Sequence, residues 1–594
     1  MKRHAAMLVL LLVCLAIGLL TFDDYGESWD VNGLRHYADA SLQVYARIVG
    51  LQDPRFVLSE PDWNRMGVYG PAFLNPSRLI EKWAQSGEEE FPSQIQHLVS
   101  FLAFLTGVVA FYSLCVRWMS RLVALGTTLL FASQPVLWGQ AFVNPMDPPL
   151  MAFFLVAVAL GLRFVDRVQP IRLGPRSIVA YISFWIVPFL LIFFGSGPFL
   201  VWLERLIGSA ALGEHNIVSA IASDVTTVAP EVYVQKYTGI FLRVSVSYML
   251  LAVPILFLIT YRFLRPAYAA LLSIAPAALA LTLAGATRIL GLFAGALIAA
   301  YALWRHGRRS LPHLTVYVLL GGMFLYLLWP YLWADPAGGV WRSLGVMSDY
   351  PWRLTVLFAG QEYTAGALPW SYLPVLLGIQ LTEPVWILFA IGLAFSLRPY
   401  RLRREPLLLA VCWFLLPMAA FVLIRPPLYD NFRHLLFLLP PIFLMAGIAF
   451  QQIRSPRLAA AAMILCALPG ILGVLSLHPY AYSYYNQFVG GVGGAFRRFE
   501  AEYWGTSYRE AARYVSEIAP AGADVLATGP VHLFRRYARA DLKVYPTDDG
   551  EVADTYDYVV STTRWNLDLI EFPAAPVVHT VGRGGAVFAV IKQP

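Results

Sequence analysis

The chain has 594 residues, 58% hydrophobic and only 14% charged, whereas a soluble protein carries roughly a quarter charged residues. That deficit excludes a string of ordinary soluble domains, because too few charges remain to cover their surfaces. The net charge of +7 comes from short Lys and Arg clusters set between apolar runs, a membrane-topology pattern that points away from nucleic acid.

A bilayer core needs about 20 apolar residues per helix. Runs of that kind predict about thirteen spans, near 5–22, 95–115, 121–138, 148–165, 178–201, 238–261, 266–284, 288–304, 311–333, 382–397, 406–424, 435–453 and 458–477. The first run follows Lys2, Arg3 and His4, the charge order of a signal peptide. It is long, and no small-x-small site precedes Asp23 and Asp24, so it reads as an uncleaved first span.

Alternate gaps between the runs are short and basic: Lys2/Arg3, Arg117/Arg121, Arg163/Arg167/Arg172/Arg176, Arg262/Arg265, Arg305/Arg308/Arg309, Arg398/Arg401/Arg403/Arg404 and Arg454/Arg457. The other gaps hold the long loops 23–94, 202–237 and 334–381 and nearly all the acids. Positive charge stays inside, so the expected topology is a plasma (inner) membrane protein with a cytoplasmic N-terminus and an extracytoplasmic C-terminus. Residues 1–477 form the transmembrane part and 478–594 a soluble part.

That soluble part reads as a small α/β domain. Ser507–Ile518 has an amphipathic helix pattern, and a short helix is expected at 532–537. Strands are expected at 523–528, 542–545, 556–561, 577–581 and 586–591. The fold class is therefore a multi-pass α-helical membrane protein with a small C-terminal extracytoplasmic α/β domain. The four cysteines (Cys14, Cys115, Cys412, Cys466) fall in or beside apolar runs, so no disulfide framework is legible. The ten histidines show no metal spacing, and no phosphate-binding or dinucleotide glycine loop is present. No metal ligands and no cofactor are assigned, although loop carboxylates leave room for a divalent ion.

Candidate chemistry gathers on the outer side. Asp23, Asp24, Glu27 and Asp30 follow the first span, and on a helix Asp23, Glu27 and Asp30 would share a face. Crowded carboxylates at a low-dielectric boundary make general bases; a solvated acidic flank is the plainer reading. Asp147 stands in Asn-Pro-Met-Asp-Pro-Pro, either as a site acid or as a helix cap. Arg288, Arg353, Arg433 and His434 are the outer cations, suited to phosphate or to anchoring at the interface. Trp63, Tyr69, Trp333, Trp341, Trp352, Tyr363, Trp370, Tyr372, Tyr480, Tyr482, Tyr484 and Tyr485 read mainly as an interfacial aromatic belt.

Several stretches together resemble glycosyltransferase family 39 of the C-type membrane glycosyltransferase superfold. This family includes protein mannosyltransferases and the lipid A aminoarabinose transferase. The stretches are Tyr25-Gly-Glu-Ser-Trp-Asp-Val, Tyr69-Gly-Pro-Ala-Phe, Asn144-Pro-Met-Asp, Thr287-Arg-Ile, Trp329-Pro-Tyr-Leu-Trp-Ala-Asp-Pro, Leu368-Pro-Trp-Ser-Tyr, Tyr429-Asp-Asn-Phe-Arg-His and His478-Pro-Tyr-Ala-Tyr-Ser-Tyr-Tyr-Asn-Gln. The family's first loop usually carries an Asp-Glu pair. Asp30-Val31 stands at the matching position, so Asp24 or Glu27 are alternative bases. Asp147 matches the second acidic position, with Met146 where the family often has Lys.

The resemblance implies an inverting transferase that takes a hexosyl or pentosyl group from a polyprenyl-phosphate carrier to an extracytoplasmic glycan, lipid or protein. Its partners would be the lipid-linked donor, membrane lipids and that acceptor. Asp30 would act as base with Asp147 assisting, and Arg288, Arg433 and His434 would meet the donor phosphate. A transporter or flippase of a lipid-linked substrate, and a catalytically inactive binding or assembly subunit, remain alternatives.

Overall fold

The structure is a computed structural model describing residues 4–48, 50, 66–84, 94–170, 174–222, 224, 226–350, 352, 354–397, 404–547 and 556–594. Lys2, Arg3, Trp63, Arg172, Arg353, Arg398, Arg401 and Arg403 lie outside the described residues.

Among the described residues nine helical stretches are long and apolar enough to cross a membrane. They are Ala5–Asp24, Gln94–Trp118, Asp147–Asp166, Pro175–Ala211, Pro230–Phe263, Ala267–Gly285, Ile289–Leu328, Glu405–Ile424 and Pro456–Leu477. The apolar side chains on several of them face outward, as lipid contact requires: on the first, Leu8, Leu12 and Leu20 are all exposed. The chain is a multi-pass membrane protein.

The count differs from thirteen for local physical reasons. The run at 121–138 is a bent pair, Arg121–Ala132 and Pro135–Val143, turned by 61°. Pro135 lacks the N–H that a continuing helix would need. The run at 382–397 belongs to a second pair, Tyr372–Gln380 and Glu383–Ser396, bent by 110°. The runs at 288–304 and 311–333 form one stretch, in which helices Phe293–His306 and Leu311–Leu328 meet through the 3-10 turn Gly307–Ser310. The run at 435–453 is a 3-10 turn, Arg433–Leu438, followed by a helix only from Pro440 to Phe450. Every residue of that helix is buried. Its apolar character all round suits a core position. It lies close against Glu383–Ser396, where a Cβ added at Gly392 would stand 1.8 Å from the Met445 carbonyl oxygen.

The residues fall into two compact units. The first comprises Met1–Gly33, Ile80–Leu155 and Asp349–Pro594. Its membrane part has an aromatic interior, where Phe142 stacks on Tyr25 at 4.2 Å and on Phe101 at 4.3 Å. A hairpin of β1 (Thr355–Phe358) and β2 (Gln361–Thr364) turns at Ala359 and Gly360, both with positive φ. Such turns match the natural strand twist.

The C-terminal sheet has five strands: β3 (Asp524–Ala527), β4 (Lys543–Pro546), β5 (Tyr558–Thr562), β6 (Val577–Arg583) and β7 (Ala586–Lys592). Their order is β4-β3-β5-β7-β6, with β3 parallel to both its neighbours and β7 antiparallel to both of its own. The β6–β7 hairpin closes through Gly584 and Gly585, at φ 57° and 84°. Helix Tyr508–Ile518 buries Tyr508, Ala511, Ala512 and Val515, the i, i+3, i+4, i+7 face.

The second unit comprises Leu34–Leu79 and Val156–Ser348. Here the segment after Tyr69 docks on the turn following Ala267–Gly285. Ala72 N–H donates to the Ala286 carbonyl at 2.9 Å, and a Cβ on Gly70 would stand 1.9 Å from that same oxygen.

Candidate active site

The segment that leaves the first span is not a continuous helix. It makes one 3-10 turn, Phe22–Asp24, runs without helix to a turn at Trp29–Asp30, and becomes helical again at Val31. The shared acidic face expected of Asp23, Glu27 and Asp30 therefore does not form. The carboxylates fan out to different partners. Asp23 pairs with Arg509 at 3.3 Å and Asp24 with the His478 ring at 2.8 Å. Glu27 is buried beside Arg536, 3.5 Å away, and its N–H donates to the Tyr537 hydroxyl. These three fasten the loop to the C-terminal part of the first unit. Asp30 alone turns toward Arg433, at 3.8 Å, with about half of its side chain (51%) open.

Asp147 begins helix Asp147–Asp166 but does not cap it. The cap is Asn144, whose Oδ1 accepts from the N–H groups of Met146 and Asp147 at 3.0 and 3.1 Å. The Asn144 amide then donates to Asp147 Oδ2 at 2.7 Å and to Gln140 Oε1 at 3.0 Å. Gln140 in turn donates to the Tyr503 hydroxyl at 2.6 Å. Asp147 is 1% exposed, its carboxylate oriented by the Asn144 amide.

Arg433 is the hub. Its Nη1 reaches Asp147 Oδ2 at 3.2 Å, and its Nη2 reaches Asp430 Oδ2 at 2.9 Å and Asp30 Oδ2 at 3.8 Å. Its guanidinium lies 4.5 Å from the Trp504 ring centre and 5.2 Å from that of Tyr429. Three carboxylates thus converge on a buried, delocalised cation. His434 packs edge-on against Tyr429, ring centres 4.7 Å apart.

Asp430 and Asn431 both adopt left-handed backbone, at φ 53° and 61°. Asp and Asn tolerate that region better than other side-chain-bearing residues. The turn aims Asp430 both at Arg433 and at Arg564, the latter at 2.6 Å. Arg564 also bonds Glu500 at 3.2 Å, and Glu500 accepts from the Asp430 N–H. An unbroken chain of charges therefore runs Asp30–Arg433–Asp430–Arg564–Glu500, with Asp147 as a branch. Burial pushes the Glu500 carboxyl up, Arg564 opposing this and Asp430 adding to it. Burial also raises Glu502, against the bonds it accepts from Tyr482, Thr506 and Ser507.

Sequence reasoning named Asp30, Asp147 and Arg433, and the structure brings these three together. Asp24 and Glu27 lie apart from them. It missed Arg564, Glu500, Asn144 and Gln140 as members of the network. The one available signal for Arg564 was its place beside the aromatic Trp565 in a polar loop, a weak cue.

Arg288 belongs to the second unit. It is 6% exposed and lies over the Tyr69 ring, 5.5 Å from its centre. Arg353 lies outside the described residues. Several aromatics expected at the membrane interface are core instead: Tyr482 donates to Glu502 at 2.5 Å and Tyr485 to the Glu500 carbonyl at 2.7 Å. Trp341 and Trp370 are exposed. Among the described residues no three His, Cys, Asp or Glu side chains are grouped as a metal cage needs.

No protein-family model matches the sequence, and no curated protein matches it. In structure the chain is similar to ArnT from Cupriavidus metallidurans bound to undecaprenyl phosphate. The match has 12% identity and a TM-score of 0.44, over 99% of this chain and 98% of that one. It is also similar to the Archaeoglobus fulgidus oligosaccharyltransferase in its apo form, with 12% identity and a TM-score of 0.40, over 94% and 70% of the two chains. The oligosaccharyltransferase AglB of the same organism, in complex with an inhibitory peptide and a dolichol-phosphate, matches with 13% identity and a TM-score of 0.37, again over 94% and 70%.

Proposed function

We propose that the protein is an inverting glycosyltransferase that draws its sugar from a polyprenyl-phosphate carrier and acts at the outer face of the membrane. The observation that carries this reading is the pairing of one open carboxylate, Asp30, with one sealed carboxylate, Asp147, across the same arginine. A half-exposed carboxylate can take a proton from an incoming hydroxyl; a sealed one cannot exchange protons readily but can fix the geometry.

In the proposed step an acceptor hydroxyl attacks the anomeric carbon. Its proton passes to Asp30. The bond from the anomeric carbon to the phosphate oxygen breaks, its electron pair leaves with polyprenyl phosphate, and configuration inverts. Arg433 is matched by three carboxylates, so its task is to hold Asp30 and Asp147 in place rather than to bind phosphate. His434, set against Tyr429, supports the ring beside that arginine. The short Lys- and Arg-rich gaps between the apolar runs, through the positive-inside rule, support the outer-face orientation.

The test is release of polyprenyl phosphate and transfer of radiolabel from polyprenyl-phosphate-linked hexose and pentose donors by the purified protein in nanodiscs. Asp30→Asn should abolish turnover while donor binding persists. Full turnover in that variant would remove Asp30 from the role of base. Donor binding with no turnover by the wild type would favour a binding subunit instead.

A further inference from the structure

Inside the second unit a cavity of about 340 Å³ lies between the helical segments Pro175–Tyr181 with its continuation Ile182–Ile186, Pro230–Phe263, Arg265–Gly285 and Leu311–Leu328. Its wall is mainly apolar, with Trp185, Ile186, Leu264, Leu271, Ile274 and Val316 prominent in it. The polar groups in that wall are mostly turned to one another. The Tyr181 hydroxyl and Thr260 Oγ1 lie 2.5 Å apart, and Thr260 donates to the Leu256 carbonyl at 2.8 Å. The Trp185 indole N–H donates to Met323 Sδ at 2.8 Å. His313 is 1% exposed and its ring nitrogens are covered, so it offers a ligand no polar contact. One side of the cavity is open. Leu311 and Thr315, both in the wall, are exposed, and the neighbouring Ile182 and Leu272 face outward. In a membrane-spanning unit such a face meets lipid tails.

Arginines crowd the ends of these helices from which the cavity opens. Arg176 precedes Tyr181, Arg262 follows Thr260, Arg265 follows Leu264, and Arg308 and Arg309 stand just before Leu311. All of them are exposed. No acidic residue occurs in the segments 174–186, 260–274 and 307–316. Among the described residues none of these arginines has a carboxylate partner, whereas Arg305 is paired with Asp166 at 3.1 Å. Arg262 and Arg265 lie against aromatic rings, 5.9 Å from the centre of Phe263 and 5.3 Å from that of Tyr261. Long arginine stems cover apolar surface in this way while their charged heads stay among lipid head groups.

We propose that the cavity holds an acyl chain of an anionic glycerophospholipid, phosphatidylglycerol in type, whose phosphate lies among Arg262, Arg265, Arg308 and Arg309. Charge complementarity selects this occupant. The rim is cationic without a balancing acid, so a lipid with net negative charge is favoured, and a zwitterionic head group would bring a second cation into it. The positive-inside rule supports assigning these ends to the cytoplasmic leaflet. Anionic glycerophospholipids carry the negative charge of that leaflet, and basic pockets between helices take their head groups. The inference stands without the transferase reading, and failure of either leaves the other in place.

The experiment counts the lipids retained by the full chain, by native mass spectrometry, after release from bilayers of equal phosphatidylglycerol and phosphatidylcholine. The wild type should retain phosphatidylglycerol in preference by about tenfold. Arg262→Gln together with Arg265→Gln should lower that preference by about tenfold. Arg454→Gln together with Arg457→Gln removes the same charge from a basic turn of the other unit and should leave retention unchanged. Ala270→Phe, which fills the cavity and keeps the rim, should lower retention several-fold; the exposed arginine variants keep the test intact if it does not fold. The site is overturned if phosphatidylglycerol is not preferred, if Arg262→Gln with Arg265→Gln retains it as the wild type does, or if the Arg454 and Arg457 variant loses as much. A folded Ala270→Phe that retains the lipid fully would also overturn it. Displacement of phosphatidylglycerol by equimolar undecaprenyl phosphate would give the cavity to a polyprenyl lipid instead and refute the proposal.

Discussion

Replacing Arg433 by Gln removes the one cation shared by Asp147, Asp430 and Asp30. The three do not suffer equally. Asp430 keeps Arg564 at 2.6 Å, and Asp30 is half open to water. Asp147, 1% exposed, loses its arginine and keeps the Asn144 amide. Breaking a buried pair from one side costs about 3–5 kcal/mol, mostly from the stranded charge. The single variant should therefore lose about that much stability. Adding Asp147→Asn removes the stranded charge, so the double variant should recover roughly half, a coupling of about 2 kcal/mol. Melting of the purified variants in nanodiscs, followed by tryptophan fluorescence, gives the order: wild type highest, double variant next, Arg433→Gln lowest. If the double variant melts at or below Arg433→Gln, Asp147 is not held by that arginine and the hub assignment fails.

Further outcomes follow from the same geometry. Asn144→Ala removes a helix cap worth about 1 kcal/mol and should also lower kcat with little change in donor KM, because Asp147 loses its orienting amide; kinetics that leave kcat intact would deny it a positioning role. Asp24→Asn should retain turnover, since Asp24 engages His478 and not Arg433, and a loss as deep as that of Asp30→Asn would move the base. Glu500, pushed up to about 7 by burial, takes up a proton on folding. Its contribution to stability is full below the ordinary glutamate range and falls as pH rises through neutrality. Glu500→Gln should flatten that fall in a melting-versus-pH series, and an unchanged slope would assign the titration elsewhere. Gly70→Ala places a Cβ against the Ala286 carbonyl. It should cost about 1–3 kcal/mol by overpacking, read as a lowered melting temperature.

The parts of the fold that a local pattern controls were legible in the chain. The C-terminal strands follow alternation and turn residues, and β3 to β7 lie within a residue or two of the expected segments. Hydropathy located the apolar runs but could not say which of them bend. It read 435–453 as a span because Pro440–Phe450 is apolar on every side, a property shared by a lipid-facing helix and a buried one. At the site, Asp147 stands out as the lone charge in an uncharged stretch, Asp30 as part of the acidic cluster after the first span, and Arg433 as a cation at the entrance to an apolar run. Arg564 and Glu500 sit in ordinary polar sequence, and only tertiary folding brings them to Asp430. The helix imagined after the first span failed because Arg509, His478 and Arg536, all distant in sequence, draw its acids apart.

The ion chain that runs through Arg564 also sets an order of assembly. Asp430 and Arg433 enter with the membrane part, more than 130 residues before the loop that carries Arg564 is synthesised. Until that loop docks, Asp430 lacks its second arginine and the turn at 430–431 lacks its outer support. A nascent chain with all its spans inserted therefore still lacks one charge of this network, which is completed only once the loop after β5 has docked. Truncation before β5 should for the same reason yield an inserted but inactive protein.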